Sequence, residues 1–395
     1  ATLVYAEALD GGDQSKSAEF RDEVFTLDAP FNGSPRSFFK TKQRYEGTSW
    51  TNNHYAIVSE GWYDTRNTRS YLIDLNNGKS QVIDDRNYQD VYSDPGNFNT
   101  TKNDFGRYVV DMKGEKAYLI GAGFTKEGQH PFIDEMDMKS LKKKRLYTSN
   151  LNNVKEEIID IIDPKKGDVL TIQQSASSYP NYFKKNIKSN TSEPVTQFAN
   201  PFESIKDVYK EVITYKRNDG VTLTGTLYLP ANYDRKAKKE KLPLLIWAYP
   251  TEYKDKNTAG QNTQNPNDFT FPYYGSFVYW TAKGYAVLDD AAFPIIGEGK
   301  TEPNDTFIPQ LVANGKAAID AIDQLGYIDR KKVAVGGHSY GAFMTANLLT
   351  HSKDYACGIA RSGAYNRTLT PFGFQSEQRN YWDVPEIYNG MSPFM

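Results

Sequence analysis

The hydrophobic pattern of this 395-residue sequence changes its period at about residue 205. Before that point, aromatic and β-branched residues alternate with polar ones in short runs, separated by clusters of Asn, Gly, Asp and Lys, which is typical of strands and turns. After it, apolar strands alternate with amphipathic helical segments. The chain is also too long for one ordinary domain, so we predict two domains, residues 1–205 and 206–395.

The first part contains a recurring element in which a strand opens on an aromatic residue and a polar turn follows. The element occurs at Phe25, Tyr71, Phe132 and Tyr182, at intervals of 46, 61 and 50 residues. Spacings of about 40 to 50 residues with four short strands per unit are typical of propeller blades. We therefore predict a partial β-propeller of about four blades, with a β-sandwich as the alternative.

The second part predicts a doubly wound, mostly parallel sheet. It opens with a hairpin over residues 212–228 and continues with an apolar run at 244–249, which is typical of a buried parallel strand. Further strands are predicted at residues 286–288, 333–335 and 358–360. A helix ending at Gly326 has one apolar stripe, formed by Ile308, Leu311, Val312, Ile319, Ile322 and Leu325.

One motif in this sheet suggests catalytic chemistry. Gly337-His338-Ser339-Tyr340-Gly341 fits the G-x-S-x-G pattern, in which a serine lies on a strained turn between a strand and a helix. An apolar strand precedes the motif and a helix-forming segment follows it, as an α/β-hydrolase fold requires. We predict Ser339 as a nucleophile, and an ordinary Gly-rich turn is the alternative.

A serine nucleophile needs donors for the oxyanion that forms when it attacks a carbonyl. The backbone N–H of Tyr340 is the first candidate, because it follows the nucleophile at a helix N-terminus. Tyr249, at the end of the 244–249 strand, is placed to supply its hydroxyl as the second. A packing role is the alternative for the Tyr249 side chain.

The sequence contains four histidines, none of which suits the role of general base. His351 follows Ser339 by twelve residues, which places it about 18 Å along a helix, and His338 faces elsewhere on the turn. His54 and His130 lie in the strand-rich part. In this fold the acid and the histidine follow the serine, so we expect both beyond Met395 and the α/β-hydrolase domain to be incomplete at its C-terminus. These residues alone are then expected to be inactive.

Charge and composition disfavour several kinds of partner. The formal charge is −2 with a pI near 6.2, so no basic face predicts binding to nucleic acid or to an anionic membrane. No apolar run approaches about 18 residues, so membrane insertion is not expected. Cys357 is the single cysteine, which excludes an internal disulfide, and we expect no metal or organic cofactor. Oligomeric state is not readable from these features.

The longer motifs resemble the prolyl oligopeptidase family of serine peptidases, and most closely its glutamyl endopeptidase branch. The resemblance covers essentially the whole chain and rests on PIIGEG at residues 294–299, GGHSYGAFMT at 336–345, GIARSGAYNRTLTPFGF at 358–374 and EALDGGD at 7–13. It implies a β-propeller followed by an α/β-hydrolase domain, with Ser339 as nucleophile and Tyr340 N–H and the Tyr249 hydroxyl as oxyanion donors. It also implies that the chain is truncated at both ends relative to the family.

The same resemblance implies peptide substrates with an acidic P1 residue, Glu and less strictly Asp. An S1 pocket for a carboxylate needs a cation, and Arg361 and Arg367 are the candidates because a guanidinium can bind a carboxylate with two hydrogen bonds. Phe372 and Phe374 are candidate pocket walls. For the arginines the alternative is a structural ion pair, and for the phenylalanines it is packing.

Other functions remain open at this point. A dipeptidyl or acylaminoacyl peptidase of the same family would need a group that captures the substrate N-terminus, and a lipase or esterase of the same fold has no obvious use for a propeller. If the chain truly ends at Met395, a non-catalytic binding protein is the alternative. A bacterial, periplasmic or secreted location is the expectation from the family.

Overall fold

The computed structural model describes residues 1–51, 54–237, 240–273 and 275–395. The described chain divides into two compact units, the first comprising Ala1–Gly123 and Phe132–Thr148 and the second Phe124–Pro131 and Ser149–Met395. The boundary predicted at about residue 205 lies within the second unit, between an antiparallel sheet and a mixed sheet.

The first 194 residues form antiparallel sheets. Their strands are β1 (Thr2–Ala8), β2 (Asp22–Asp28), β3 (Arg36–Thr41), β4 (Arg44–Trp50), β5 (Tyr55–Trp62), β6 (Asn67–Asp74), β7 (Ser80–Asn87), β8 (Asn97–Phe98), β9 (Thr100–Lys102), β10 (Tyr108–Val110), β11 (Lys116–Gly121), β12 (Phe124–Thr125), β13 (Gly128–Gln129), β14 (Phe132–Asp137), β15 (Lys143–Thr148), β16 (Lys155–Asp163), β17 (Asp168–Gln174), β18 (Asn181–Asn186) and β19 (Thr191–Pro194). Strands β1–β3 form one sheet, β4–β7 a second, β8, β11, β14 and β15 a third, and β16–β19 a fourth, while β9–β10 and β12–β13 are small hairpins.

The predicted recurring aromatics occupy equivalent places in these sheets. Tyr71, Phe132 and Tyr182 lie in β6, β14 and β18, each flanked by strands on both sides, and Phe25 lies in the middle strand β2. The strands predicted at these four aromatic residues are therefore confirmed, and each of them is an inner strand of its sheet.

The mixed sheet begins at residue 209. Its strands are β20 (Tyr209–Lys216), β21 (Thr222–Leu229), β22 (Leu242–Tyr253), β23 (Ala286–Ile296), β24 (Ile328–His338) and β25 (Cys357–Arg361), in the order β20-β21-β23-β22-β24-β25. The β23–β22, β22–β24 and β24–β25 pairings are parallel, and the two pairings that involve β21 are antiparallel. The predicted mostly parallel sheet is therefore confirmed.

Helical segments cover both faces of this sheet. The α-helices are α1 (Lys256–Ala259), α2 (Phe307–Leu325), α3 (Tyr340–His351) and α4 (Pro385–Met391), and the short 3-10 helices are Val91–Ser93, Glu203–Ile205, Phe277–Lys283, Pro303–Thr306 and Arg367–Leu369. Along β22, Leu244 and Ile246 face the core formed with α2 and α3, whereas Leu245 faces Phe277 and Val278. Among the described helices, none combines the length and the apolar character needed to cross a membrane.

The predicted helix near residue 319 is confirmed with its stop signal. Leu311, Ile319 and Ile322 are buried against the sheet, and Gly326 caps α2 in the left-handed conformation at φ 81°. After α2 the chain continues into β24, which pairs in parallel with β22. The carboxyl ends of both strands therefore lie at the same edge of the sheet.

Candidate active site

Ser339 lies on a sharp turn between β24 and α3. Its φ of 56° and ψ of −111° are rare for a residue with a side chain, and such strain is typical of functional turns. A Cβ on Gly337 would lie 2.4 Å from the Gly341 carbonyl carbon, and a Cβ on Gly341 would lie 2.5 Å from the Ala248 oxygen. Both glycines of the motif are therefore required, and the predicted strand–turn–helix context is confirmed.

The turn holds Ser339 in an exposed position at the N-terminus of α3. Its backbone N–H donates to the Arg361 carbonyl at 2.9 Å, which ties the turn to the end of β25. Its hydroxyl makes no hydrogen bond with any residue that the structure describes. The hydroxyl is thus presented outward, at the positive end of a helix.

Tyr340 is the first residue of α3 and is buried. Its hydroxyl donates to Oε1 of the buried Glu252 at 2.8 Å, and its ring stacks on Phe343 with centroids 5.6 Å apart. Burial raises the pKa of Tyr340 well above its ordinary value, so the hydroxyl stays a proton donor. The first N–H groups of a helix have no partner inside it, so the Tyr340 N–H can serve an oxyanion.

Tyr249 lies near the end of β22, beside the turn. Its ring contacts Tyr340 edge to face with centroids 6.0 Å apart, and its side chain is 49% exposed. The structure therefore brings Tyr249 into contact with Tyr340, the residue that follows Ser339. Its role as the second oxyanion donor stays a prediction.

In the described part of the chain, no histidine forms a hydrogen bond with Ser339. His338 is exposed on the preceding strand, and His351 is at the far end of α3, where its Nδ1 lies 3.0 Å from the Asn347 carbonyl. His54 and His130 lie among the antiparallel strands. That the base comes from other residues stays a prediction.

The two predicted S1 arginines occupy different environments. Arg361 is exposed at the end of β25, where its carbonyl accepts the hydrogen bond from the Ser339 N–H. Its guanidinium lies close to Gly275, since a Cβ added there would be 3.0 Å from Nη1. Arg367 is 5% exposed and begins a short 3-10 helix. Arg361 is therefore exposed beside the Ser339 turn, whereas Arg367 is buried against the ring of Tyr340.

Arg367 is surrounded by aromatic rings. Its guanidinium carbon lies 4.1 Å from the centroid of Phe343, 4.7 Å from that of Phe374 and 5.4 Å from that of Tyr340. Its buried Nε has no hydrogen-bond partner in the described part of the chain. Burial lowers the pKa of Arg367, and the nearby Glu252 partly opposes this effect, yet a guanidinium stays protonated.

The two predicted wall residues have different surroundings. Phe374 is buried and packs on Arg367 and edge to face on Tyr388. Phe372 is 81% exposed and contacts Trp382 instead, with centroids 5.7 Å apart. The structure thus brings Phe374, but not Phe372, together with Arg367.

Glu252 was not singled out from the sequence. Its Oε1 accepts from Tyr340, and its Oε2 accepts from the Ser376 N–H at 3.1 Å and from the Ser376 hydroxyl. The one signal in the sequence was a carboxylate three residues beyond Tyr249, at the end of an otherwise apolar strand. That signal does not reveal a partner 88 residues away.

The sequence is similar to a known protein family and to two plant proteins. Residues 311–395 match the prolyl oligopeptidase family. The chain is 42% identical over 413 residues to a probable chloroplastic glutamyl endopeptidase of Arabidopsis thaliana, and 41% identical to the protein of the same name in Oryza sativa subsp. japonica. Both alignments cover 100% of this chain but only 43% and 44% of those relatives, so the chain spans less than half their length.

A solved structure shows the same fold. Dipeptidyl peptidase 4 of Porphyromonas gingivalis superposes with a TM-score of 0.58 at 14% identity, covering 99% of this chain and 61% of that one. The predicted fold, propeller-type sheets followed by an α/β-hydrolase sheet, is therefore confirmed. With the nucleophile turn in place and the alignments extending over all its residues, the chain belongs to the prolyl oligopeptidase family.

Proposed function

We propose that this chain supplies the nucleophile, the oxyanion hole and the S1 pocket of a serine peptidase that cleaves peptides after Glu, and less strictly after Asp. The observation that carries the proposal is the strained turn that exposes Ser339 at the start of α3, next to Tyr340, whose ring contacts Tyr249. The names of the plant relatives support the acidic specificity, as does a buried guanidinium next to the turn.

In the proposed mechanism, Ser339 Oγ attacks the scissile carbonyl carbon and gives its proton to a base. No described histidine is hydrogen-bonded to Ser339, and in this proposal the base comes from residues other than the described ones. The carbonyl oxygen becomes an oxyanion that accepts hydrogen bonds from the Tyr340 N–H and the Tyr249 hydroxyl. The C–N bond then breaks, the amine leaves with the proton, and water hydrolyses the ester on Ser339.

For specificity, we propose that Arg367 provides the main positive charge for the P1 carboxylate and Arg361 a second charge at the rim. A buried charge without a hydrogen-bonded anion is unfavourable, and a substrate carboxylate would relieve that cost. Phe374 holds the guanidinium from one side. In this proposal Phe372, which lies apart from Arg367, contacts residues of the substrate beyond P1.

The first test is labelling of the longest natural reading frame that contains these residues with a fluorophosphonate. We expect covalent modification of Ser339 and none in Ser339→Ala. Absence of labelling in the wild type would overturn the proposal and favour a binding protein. Labelling of these 395 residues on their own would contradict the proposed external base.

The second test compares peptides that differ only at P1, with Glu, Gln or Ala. In Arg367→Met we expect the Glu to Gln ratio of kcat/KM to fall roughly 100-fold, since charge-assisted hydrogen bonds are lost, and in Arg361→Met roughly 10-fold. Arg330→Met is the matched control, because Arg330 pairs with Asp320 and Asp323 on the surface. An unchanged ratio in both variants would remove the S1 assignment.

A further inference from the structure

Glu252 connects three segments of the candidate site through one buried carboxylate. It lies near the end of β22, opposite Ile295 of β23. Its Oε1 accepts from the hydroxyl of Tyr340, the first residue of α3. Its Oε2 accepts from the N–H and the hydroxyl of Ser376, in the segment that follows Phe374.

The bond to Tyr340 bears directly on the oxyanion hole. The N–H that is proposed to bind the oxyanion belongs to the residue whose side chain Glu252 holds. The Tyr340 ring is packed against Phe307, Phe343 and Tyr249, so its hydroxyl end is the remaining part to be fixed. An oxyanion donor is effective only when it is held in place before the reaction, and displacements of about 1 Å are costly.

The bonds to Ser376 connect the same carboxylate to the specificity residues. Ser376 follows Phe374 by two positions, and Phe374 packs on Arg367. Glu252 is also near enough to Arg367 to influence its pKa. The carboxylate therefore has hydrogen bonds to the oxyanion donor residue Tyr340 and to Ser376, two residues after the phenylalanine that packs on Arg367.

We propose that Glu252 is a positioning residue for the oxyanion hole, which holds the Tyr340 side chain and thereby the Tyr340 N–H in the geometry needed for acyl transfer. The inference rests on the proposed function. A positioning role acts on every substrate alike, whatever its P1 residue. It is therefore distinct from the role of Arg367, which selects P1.

The experiment uses Tyr340→Phe, Glu252→Gln and the double variant in the longest natural reading frame. Tyr340→Phe keeps the ring and the backbone N–H and removes only the hydroxyl that Glu252 holds. We expect kcat to fall roughly 10-fold in each single variant, a fraction of what losing a whole oxyanion donor costs, with KM changed less than about 2-fold. The double variant should lose no more than the worse single variant, because both remove the same interaction.

Two readouts separate positioning from a purely structural role. In Tyr340→Phe, which leaves the Glu252 charge near Arg367 in place, the loss of kcat per active site titrated with a fluorophosphonate should be equal for Glu and Ala at P1. Tyr228→Phe is the matched control, because it also removes a buried tyrosine hydroxyl bond, 3.2 Å to Thr270, on the opposite face of the sheet. We expect this variant to lose stability but keep kcat.

The outcomes distinguish this inference from the proposed function. If the wild type reacts at Ser339 while Tyr340→Phe and Glu252→Gln keep its kcat, or if their losses multiply in the double variant, the positioning role is overturned and the function stands. If Glu252→Gln does not fold, Tyr340→Phe alone decides by the same criterion. If the wild type does not react at Ser339, the proposed function fails and this inference fails with it.

Discussion

Two buried cations in the second unit are held in opposite ways. Lys185, in β18 of the last antiparallel sheet, is 1% exposed, and its Nζ lies 3.0 Å from Oε1 of the buried Glu156. Arg367, beside the nucleophile turn, is 5% exposed and lies among three aromatic rings, with no hydrogen bond from its buried Nε to a described residue. Lys185 is thus paired with a carboxylate within hydrogen-bond distance, whereas the Nε of Arg367 has no such partner among the described residues.

The difference indicates what each charge is for. A buried charge is usually paired within the fold, because an unpaired one is strongly destabilising. Aromatic faces offset only part of that cost, about 0.5–2 kcal/mol each. A fold that pairs Lys185 fully could pair Arg367 as well, so we infer that the arrangement around Arg367 is completed by an anionic ligand.

The largest expected effect is on the paired side of this comparison. Lys185→Met leaves the Glu156 carboxylate buried without its cation, so we expect the free energy of unfolding to fall by about 3–5 kcal/mol. The measurement is denaturant unfolding monitored by fluorescence. The double variant Lys185→Met/Glu156→Leu removes both charges and should recover most of the loss. A single variant as stable as the double would show that the pair is not needed.

The same contrast explains what the sequence could and could not predict. The turn at Ser339 was predictable because its requirements are local, two glycines between a strand and a helix. Phe372 and Phe374 were indistinguishable in the sequence, yet one is exposed and the other packs on Arg367. Their difference depends on segments that are distant in sequence.

Contacts between buried polar side chains cannot be predicted from sequence patterns either. Glu156 and Lys185 are 29 residues apart, and Glu252 and Tyr340 are 88 apart, so neither contact follows from a local period. The domain boundary predicted at residue 205 is limited in the same way. The sequence does not tell which contacts join the β16–β19 sheet to the segment between β22 and β23, such as that of Lys155 with Asp268 at 2.5 Å.

The same comparison between paired and unpaired buried charges can be made for carboxylates, beginning with Asp289 of β23. Burial raises the pKa of Asp289 from its ordinary value of 3.8 to about 6. Well below pH 3.8 the carboxyl is neutral in the folded and the unfolded protein, whereas well above pH 6 the folded protein carries a poorly solvated charge. Stability from this group is therefore lost as the pH rises from about 4 to 6.

Asp289→Asn should remove that loss of stability. The asparagine keeps a side-chain oxygen that can accept from the Asp290 N–H, as Asp289 Oδ1 does in the structure at 3.0 Å. We expect the variant to match the wild type at about pH 3 and to be more stable above pH 6 by about 1–2 kcal/mol, after allowance for solvent contact. Unfolding midpoints measured from about pH 3 to about pH 8 test this.

The matched control for Asp289 is Asp219, whose pKa a hydrogen bond from Arg217 lowers to about 2. Asp219 stabilises the folded protein above its ordinary pKa of 3.8, and that contribution is lost as the pH falls through about 2. Asp219→Asn should therefore be less stable than the wild type at neutral pH. A gain in stability for Asp219→Asn, or none for Asp289→Asn, would contradict the assignment.

The smallest expected effect on stability is that of replacing Arg367, the cation whose Nε has no hydrogen-bond partner among the described residues. This measurement decides whether Arg367 differs from Lys185. Arg367→Met removes a buried charge that has no hydrogen-bonded anion in the described chain and replaces it with an apolar chain of similar reach. The lost contacts with the rings of Phe343 and Phe374 and the relief of the desolvated charge oppose each other, so we expect unfolding free energy to change by less than about 1 kcal/mol. Denaturant unfolding under the conditions used for Lys185→Met is the measurement. A loss of about 3 kcal/mol or more would mean that Arg367, like Lys185, is a structural cation, and the P1 carboxylate would then have to be bound elsewhere.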